Sequence, residues 1–232
     1  MKSYETNRDI ISRLANSDPG NAGWQRDLSV ALNKVGGVQK DQGDLLGALK
    51  SYSDSLAIRE LLAKSDPGNA QWQRNLSVAH CFVGNVQVAQ GDLDGALKSY
   101  GDYLATAELL AKSDPGNAVW QRDLSVSYSK IGDILVAQGN LPEAQKTYQA
   151  GLAIADLLAK SDPGNAGWQR DLSVSFGKLA DVHKQSGDKA QARDDLRQGQ
   201  AIMARLTKLS PDNAVWKRDL AWFDRQLKEL AP

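Results

Sequence analysis

The sequence predicts an all-α solenoid of antiparallel helix hairpins, and three observations support this prediction. A block that reads Asp-Pro-Gly-Asn-Ala-x-Trp-Gln-Arg begins at Asp18, Asp66, Asp114 and Asp162, and so recurs every 48 residues. A fixed period of this size indicates stacked supersecondary units, because one unit cannot bury its apolar face alone. Between the blocks, apolar residues recur at steps of three and four, as on one face of a helix. β-branched residues never alternate with polar ones for more than a few positions, so no strand is predicted.

The first helix of a hairpin is predicted from the start of each block, as in the third copy, residues 114–161. Pro115 cannot continue the preceding helix, Gly116 tolerates positive φ, and Asn117 is suited to cap a helix that begins near Ala118. Four-three spacing places five apolar residues on one face of this helix. They are Trp120, Leu124, Tyr128, Ile131 and Leu135.

The second helix of the same hairpin follows a break at Gly139 and Asn140. Pro142 falls in its first turn, where a missing amide hydrogen costs nothing. Its apolar stripe comprises Leu141, Ala144, Tyr148, Leu152 and Ala155. Lys160 and the next block end this helix. Each helix is therefore about 20 residues, or on the order of 30 Å long.

The predicted domain organisation is a single repeat domain over residues 1–232. An opening half-repeat, 1–17, precedes full repeats at 18–65, 66–113, 114–161 and 162–209, and a closing helix occupies 210–232. The opening helix is expected near residues 3–16 and the closing helix near 214–230. About ten helices follow from this count.

The run Tyr128-x2-Ile131-Gly132-x2-Leu135-x3-Gly139 and its continuation resemble the tetratricopeptide repeat, a family of helical hairpins. The match recurs in all four copies and is degraded in the fourth. The usual unit has about 34 residues, so the longer repeats of kinesin light chain-like proteins and of bacterial tetratricopeptide arrays are more similar. The resemblance implies a right-handed superhelix whose first helices line a concave groove that reads a peptide or a partner helix.

Mapping the exposed groove positions of that family onto this chain implies a set of partner-binding residues on the first helices. They are Asn33, Gly37, Lys40, Cys81, Asn85, Val88, Ser129, Asp133, Val136, Gly177, Asp181 and Lys184. These positions differ between copies while the residues around each block tryptophan barely change, as expected if packing needs uniformity and recognition needs variety. Drift on a solvated surface would produce the same contrast. Some family members hold a C-terminal carboxylate between Lys and Asn side chains, but only Asn33, Asn85 and Lys130 suggest such a clamp, so none is predicted.

Two ladders of large side chains follow the period. The tryptophans are Trp24, Trp72, Trp120, Trp168 and Trp216. We interpret them as structural residues that fill the seam between neighbouring hairpins, although aromatic faces can also form a ligand cage. The arginines are Arg26, Arg74, Arg122, Arg170 and Arg218. An anion-binding ridge is one interpretation, and ion pairs with the Asp of the adjoining turn are the simpler one.

Composition excludes several classes of function. Lys plus Arg and Asp plus Glu both total 28, so no net positive charge favours a nucleic acid backbone. No stretch approaches ~18 uninterrupted apolar residues, which argues against a membrane segment. The single cysteine, Cys81, excludes an internal disulfide framework, and a cytoplasmic location is expected. His80 and His183 occupy different repeat positions with no spaced third ligand or base, so we predict no metal, no cofactor and no catalytic residue.

The function predicted from these features is a non-catalytic protein–protein interaction scaffold. It would bind a peptide or partner helix in the concave groove and would be monomeric. Two alternatives stay open. The half-repeats at the two ends could pair head to tail between molecules, or the array could be the regulatory or sensor part of a larger signalling protein.

Overall fold

The computed structural model describes residues 2–230, which are helical with short turns and contain no β-strand. The chain forms two compact units, residues 1–113 and 114–232. Their boundary, between Ser113 and Asp114, coincides with a predicted repeat boundary. That the whole chain is one repeat domain stays a prediction.

The first unit contains five helices. They are α1 (Lys2–Ser17), α2 (Ala22–Asp41), α3 (Leu45–Ser65), α4 (Ala70–Gln90) and α5 (Leu93–Ser113). Helices α2 and α3 form one hairpin and α4 and α5 the next, with α3 packed against α4 and α1 packed against α2. The main helix packing in this unit is therefore between helices that are consecutive in the chain.

The second unit also contains five helices, but its single helix outside the hairpins is the last one rather than the first. Its helices are α6 (Ala118–Ala137), α7 (Leu141–Ser161), α8 (Ala166–Gln185), α9 (Lys189–Leu209) and α10 (Ala214–Glu229). Helices α6 and α7 form a hairpin, α8 and α9 form the next, and α10 packs against α9. We call α2, α4, α6, α8 and α10 the first-type helices and the others the second-type helices. The predicted all-α, tetratricopeptide-like class is confirmed, with ten helices over residues 2–230.

The helix starts follow from the turn chemistry of the repeated block. The carboxamide oxygen of Asn165 accepts a hydrogen bond from the backbone nitrogen of Trp168 at 3.1 Å, and Asn21, Asn69 and Asn117 cap their helices in the same way. The block glycines are not left-handed, contrary to the expectation for Gly116. The turn is instead closed by aspartate, whose side chain accepts from the glycine nitrogen. The residues with positive φ are Gly43, Gly91, Gly139 and Gly187, which end the first-type helices.

The core between hairpins uses the same repeat positions in both units. In the first unit the cluster is Ala48, Tyr52, Val83 and Val86. In the second it is Ala144, Tyr148, Leu179 and Val182, each 96 residues later. Each cluster joins a second-type helix to the next first-type helix. Within a hairpin, small residues permit an equally close approach: a Cβ added to Gly132 of α6 would lie 2.4 Å from the ring of Tyr148 of α7.

Burial on the first-type helices extends beyond one stripe. The five apolar residues predicted for the face of α6 are half-buried, whereas Ser125, Ser127 and Ile134 are buried. The cause of this wider burial is seen at α8, another first-type helix. It packs against two neighbours, α7 before it and α9 after it in the chain. A helix with neighbours on two sides buries small residues at the close contacts, and the large side chains reach into the spaces between helices.

Candidate partner-binding surface

In the first unit, the predicted partner-binding residues lie along α2 and α4. Lys40 and Val88 are exposed, and the other four are half-buried. Asn85 is fixed by two contacts: its carboxamide oxygen accepts from the hydroxyl of Tyr100 at 2.9 Å, and its nitrogen donates to the sulfur of Cys81 at 3.7 Å. The carboxamide oxygen of Asn33 is buried without a hydrogen-bond partner among the described residues.

In the second unit, the predicted residues lie along α6 and α8, and several of them make contacts with neighbouring helices. The carboxylate of Asp133 accepts from the hydroxyl of Tyr148 at 2.5 Å and from Lys178 at 2.6 Å. Lys184 donates to Gln226 and Glu229 of α10. These side chains therefore tie first-type helices to their neighbours as well as facing outward.

Gly177 departs from the expectation of an exposed groove position. It is buried, and a Cβ added there would lie 3.2 Å from the ring of Trp222 on α10. The absence of a side chain at Gly177 lets the indole of Trp222 approach α8 closely. Trp222 packs edge to face against Phe223, with ring centroids 4.9 Å apart and an interplanar angle of 83°. This close approach creates a cavity between α8 and α10.

The α8–α10 cavity has a volume of about 260 Å³. Its lining consists of Arg170, Ser173, Val174, Gly177, Lys178, Asp181, Asp219, Trp222 and Phe223. Two predicted residues, Gly177 and Asp181, are among them. The floor is apolar because of Val174 and Trp222, and the rim carries both signs of charge. A cavity with an aromatic floor and a few polar groups suits one large apolar side chain with polar neighbours.

The charged groups of this cavity are held in place by one another. Arg170 donates from Nε to Asp219 at 2.8 Å. Burial raises the pKa of Asp181 above its usual range, although Lys178 and Lys184 act in the opposite direction. Burial beside Asp133 likewise raises the pKa of Tyr148, so that this phenol keeps its proton and donates to Asp133.

The sequence interpretation missed Trp222, Lys178 and Val174 as surface residues. One signal was present: Trp222 is the sixth tryptophan and the one that breaks the 48-residue period, since Val174 occupies the same repeat position. An aromatic residue where other copies have a small β-branched one indicates a local change of surface.

All five period-spaced tryptophans are half-buried. Trp72 lines a crevice with Leu62 of the preceding hairpin, and Trp168 lines the equivalent crevice with Leu158. Trp216 packs against the buried cluster that contains Leu206. The three leucines occupy one repeat position. The energetic importance of these seams stays a prediction.

Two arginines of the ladder, Arg122 and Arg170, pair across repeats, whereas Arg26 and Arg218 each contact the aspartate that follows them in the chain. Arg122 of α6 contacts Asp171 of α8 at 2.5 Å, and Arg170 of α8 contacts Asp219 of α10. Each partner lies 49 residues after its arginine. The turn aspartates Asp114 and Asp162 instead accept hydrogen bonds from the backbone nitrogens of Gly116 and Gly164 in their own turns. For Arg122 and Arg170 the paired carboxylate comes from the next first-type helix.

Each of the two histidines lies beside an aspartate. His183 and Asp195 form a buried pair, with 2.7 Å between Nδ1 and Oδ2. This pair occupies the repeat positions at which Ser99 and Gln87 hydrogen-bond in the second copy. His80 lies 3.7 Å from Asp102. Within residues 2–230 no group of three or more His, Cys, Asp or Glu side chains is arranged to hold a metal ion.

Hydropathy gives one further finding. None of the helices between residues 2 and 230 combines the length and apolar character needed to cross a bilayer.

Comparisons with known proteins identify similar folds. No protein-family model and no curated protein sequence matches the chain. Among solved structures, BtubC (BKLC) from P. vanneervenii aligns over 99% of this chain and 88% of its own, with a TM-score of 0.66 and 15% identity. The apo form of RapI aligns over 78% of this chain and 57% of its own, with a TM-score of 0.59 and 12% identity. MamA aligns over 88% of this chain and 91% of its own, with a TM-score of 0.54 and 15% identity. The chain thus has the fold of tetratricopeptide-like helical repeat proteins.

Proposed function

We propose that the chain is a non-catalytic protein-interaction module that binds a peptide or a partner helix across its first-type helices. The observation that supports this proposal most strongly is the α8–α10 cavity, where Gly177 allows the indole of Trp222 to form an apolar floor. The rim carries Lys178 and Asp181, so an apolar side chain of the partner would enter the cavity while its neighbours meet charge of either sign.

The energetics favour binding because the cavity is preformed. Its walls are held by the Arg170 to Asp219 ion pair and by packing of Phe223, which is buried. A preformed pocket loses little conformational entropy when a ligand enters, so more of the contact energy appears as affinity. Aromatic residues at the centre of an interface commonly contribute most of that energy.

We also propose that the chain is related to the elongated tetratricopeptide repeats of kinesin light chain-like and bacterial arrays, and that it acts in the cytoplasm. The 48-residue period and the helices of 20 or 21 residues in its complete hairpins support the first statement. The single cysteine supports the second.

A peptide-display selection on the immobilised chain tests the proposal. We expect enriched peptides to contain one large apolar residue flanked by charged residues. Val174→Glu should abolish their binding, because the exposed Val174 side chain forms part of the cavity floor. Leu157→Glu is the matched control, since Leu157 is exposed on the second-type helix α7. If Leu157→Glu loses binding while Val174→Glu binds fully, the binding site lies elsewhere.

For a ligand that contacts α4 or α6, the double variant Asn85→Arg and Val136→Glu should also abolish binding. Both residues were predicted from the resemblance to face the groove. Unchanged affinity of this variant for a partner that is sensitive to Val174→Glu would restrict the binding surface to the α8–α10 cavity.

Head-to-tail self-association is a second candidate, favoured by the apolar side chains that α1 exposes. Tyr4, Ile10 and Leu14 are each more than two-fifths exposed. If this surface pairs with another molecule, the mass measured by light scattering should rise with concentration, and Ile10→Asp should prevent the rise. A constant monomer mass at high concentration rules the candidate out.

A further inference from the structure

One seam in the first unit lacks a carboxylate that the equivalent seams of the second unit contain. In the second unit, Arg122 and Arg170 each contact the aspartate 49 residues later. The residue 49 positions after Arg26 is Asn75, which carries no charge. Arg26 instead makes a 3.3 Å contact with its exposed neighbour Asp27. The seam between α2 and α4 therefore retains the arginine but not its cross-repeat partner.

The same seam contains an additional, buried arginine. Arg59 of α3 is 8% exposed, whereas the other copies have Ala107, Ala155 and Met203 at this position. Its Nε donates to the hydroxyl of Ser29 at 3.2 Å and its Nη1 donates to the backbone carbonyl of Asn75 at 2.7 Å. No carboxylate within residues 2–230 forms an ion pair with it, and burial lowers its pKa without an opposing acidic neighbour. A buried guanidinium without a counter-ion is unfavourable.

The guanidinium of Arg59 borders an open cavity rather than a closed core. This cavity, the α2–α4 cavity, has a volume of about 280 Å³ and is lined by Arg26, Ser29, Val30, Arg59, Gln71 and Asn75. Gln71 donates to the carboxamide oxygen of Asn75 at 2.9 Å, which leaves the Asn75 nitrogen as a donor. The lining thus offers two guanidinium groups and an amide, and its acceptor groups are neutral.

We propose that the α2–α4 cavity binds a side-chain carboxylate of an acidic peptide segment, between the guanidinium groups of Arg59 and Arg26. The ligand carboxylate takes the place of the aspartate that position 75 lacks. This proposal extends the proposed function by naming the chemical group of the partner that binds here. It rests on the proposed function in one respect only, that the carboxylate belongs to a peptide.

The chain itself indicates why a carboxylate is the matching group. At the equivalent seams, the arginine of the ladder is paired by the side chains of Asp171 and Asp219, at 2.5 and 2.8 Å. The spacing between successive first-type helices therefore accommodates a carboxylate beside the arginine. Arginine also binds carboxylates through two parallel hydrogen bonds, which makes the contact specific as well as strong.

The test uses the full chain and a fluorescein-labelled peptide of consecutive glutamates with an amidated C-terminus. The same peptide with glutamines is the neutral control, and inorganic phosphate is a competitor that reports on oxyanions in general. We expect the glutamate peptide to bind and the glutamine peptide not to bind. Free glutamate is the second competitor. If phosphate displaces the labelled peptide more strongly than free glutamate does, the choice of a carboxylate as the ligand group is wrong.

Two variants remove the site in different ways. Asn75→Asp supplies an internal carboxylate, and Arg59→Met removes the buried charge with a residue that Met203 shows to be acceptable at this repeat position. Each should weaken binding by roughly tenfold or more, the effect of losing one charge-assisted contact. Asn75→Asp should also raise the Tm by roughly 2–4 °C, because Arg26 gains the cross-repeat partner that Arg122 and Arg170 have and a negative charge enters the seam that contains the buried Arg59. This second measurement does not depend on any ligand.

Matched controls separate the site from a general effect of charge. Gln149→Glu adds the same negative charge on the exposed side of α7, and Asp171→Asn removes a carboxylate beside Ala155, where no second arginine is present. Both should bind the probe as the unmodified chain does, and so should Val174→Glu, whose site is in the other unit. Equal affinity of Asn75→Asp and the unmodified chain, or no binding of the glutamate peptide at millimolar concentration, would refute the proposal.

Discussion

The close contact between Gly132 and Tyr148 leads to a quantitative prediction about stability. A Cβ at residue 132 would lie 2.4 Å from Cε1 and 2.6 Å from Cδ1 of the tyrosine ring. Ordinary contacts begin near 3.4 Å, so the ring would have to move by about 1 Å in a close-packed core. The ring is 4% exposed and its hydroxyl donates to Asp133, so it has little freedom to move.

We therefore expect Gly132→Ala to destabilise the chain by about 1–2 kcal/mol. This value takes an over-packing cost of about 2–3 kcal/mol, the upper part of the usual range, because the contact is so close. It subtracts a gain of about 1 kcal/mol, because alanine favours helix more than glycine does. Gly101→Ala is the matched control, since nothing lies within 4 Å of an added Cβ there. That control should be stabilised by about 0.5–1 kcal/mol.

The other copies provide a graded series for the same measurement. The nearest ring atom is 2.6 Å from an added Cβ at Gly84 and 3.1 Å at Gly36, so the cost should fall in the order 132, 84, 36. Urea denaturation followed by circular dichroism gives the free energies, provided that the m-values agree. A Gly132→Ala variant as stable as Gly101→Ala, or a reversed order, would refute the packing argument.

The fourth copy suggests a rescue, because it has Ala180 and Leu196 at the positions of Gly132 and Tyr148. The double variant Gly132→Ala and Tyr148→Leu should therefore lose less stability than the sum of its single variants. Additive losses would mean that the ring does not meet the added methyl group.

Three further predictions concern other positions. Trp120→Ala should cost about 3 kcal/mol in urea denaturation if the indole fills a seam, and a loss below about 1 kcal/mol would contradict that role. Asp195→Ala should lower the free energy of unfolding by about 3 kcal/mol, because it leaves His183 buried without its partner. The double variant His183→Gln and Asp195→Ser introduces the Gln–Ser pair of the first two copies and should recover most of this loss. Burial lowers the pKa of His80 despite the opposing effect of Asp102, so the unfolded chain takes up a proton first as pH falls through about 6.5. Stability should then decrease over this range more in the unmodified chain than in His80→Gln, and equal slopes for the two would exclude His80 as the source.

Much of the fold could be predicted from the sequence because the signals are local and repeated. The predicted caps, breaks and period place the third-copy helix starts at Ala118 and Leu141, where the structure has them. Asn117 accepts from Trp120 because a side-chain oxygen there satisfies a free backbone donor, a requirement fixed within four residues of sequence. The all-α class followed from the same signals.

The contacts between repeats could not be predicted in the same way. Arg122 pairs with Asp171, which is 49 residues later in the chain, because the stacked helices bring these two side chains within reach. The α8–α10 cavity depends on Trp222 lying over Gly177, two residues far apart in sequence whose meeting depends on how α10 packs against α9. No sequence prediction concerned Arg59, and the structure buries it.

The sequence by itself determined the helices, their order and the positions at which they turn, because backbone capping and 3.6-residue periodicity act over a few residues. The tertiary structure alone decided which charges find partners and where space is left between helices. Those outcomes depend on distances between residues about one repeat apart, and these distances are set only when the hairpins pack against one another.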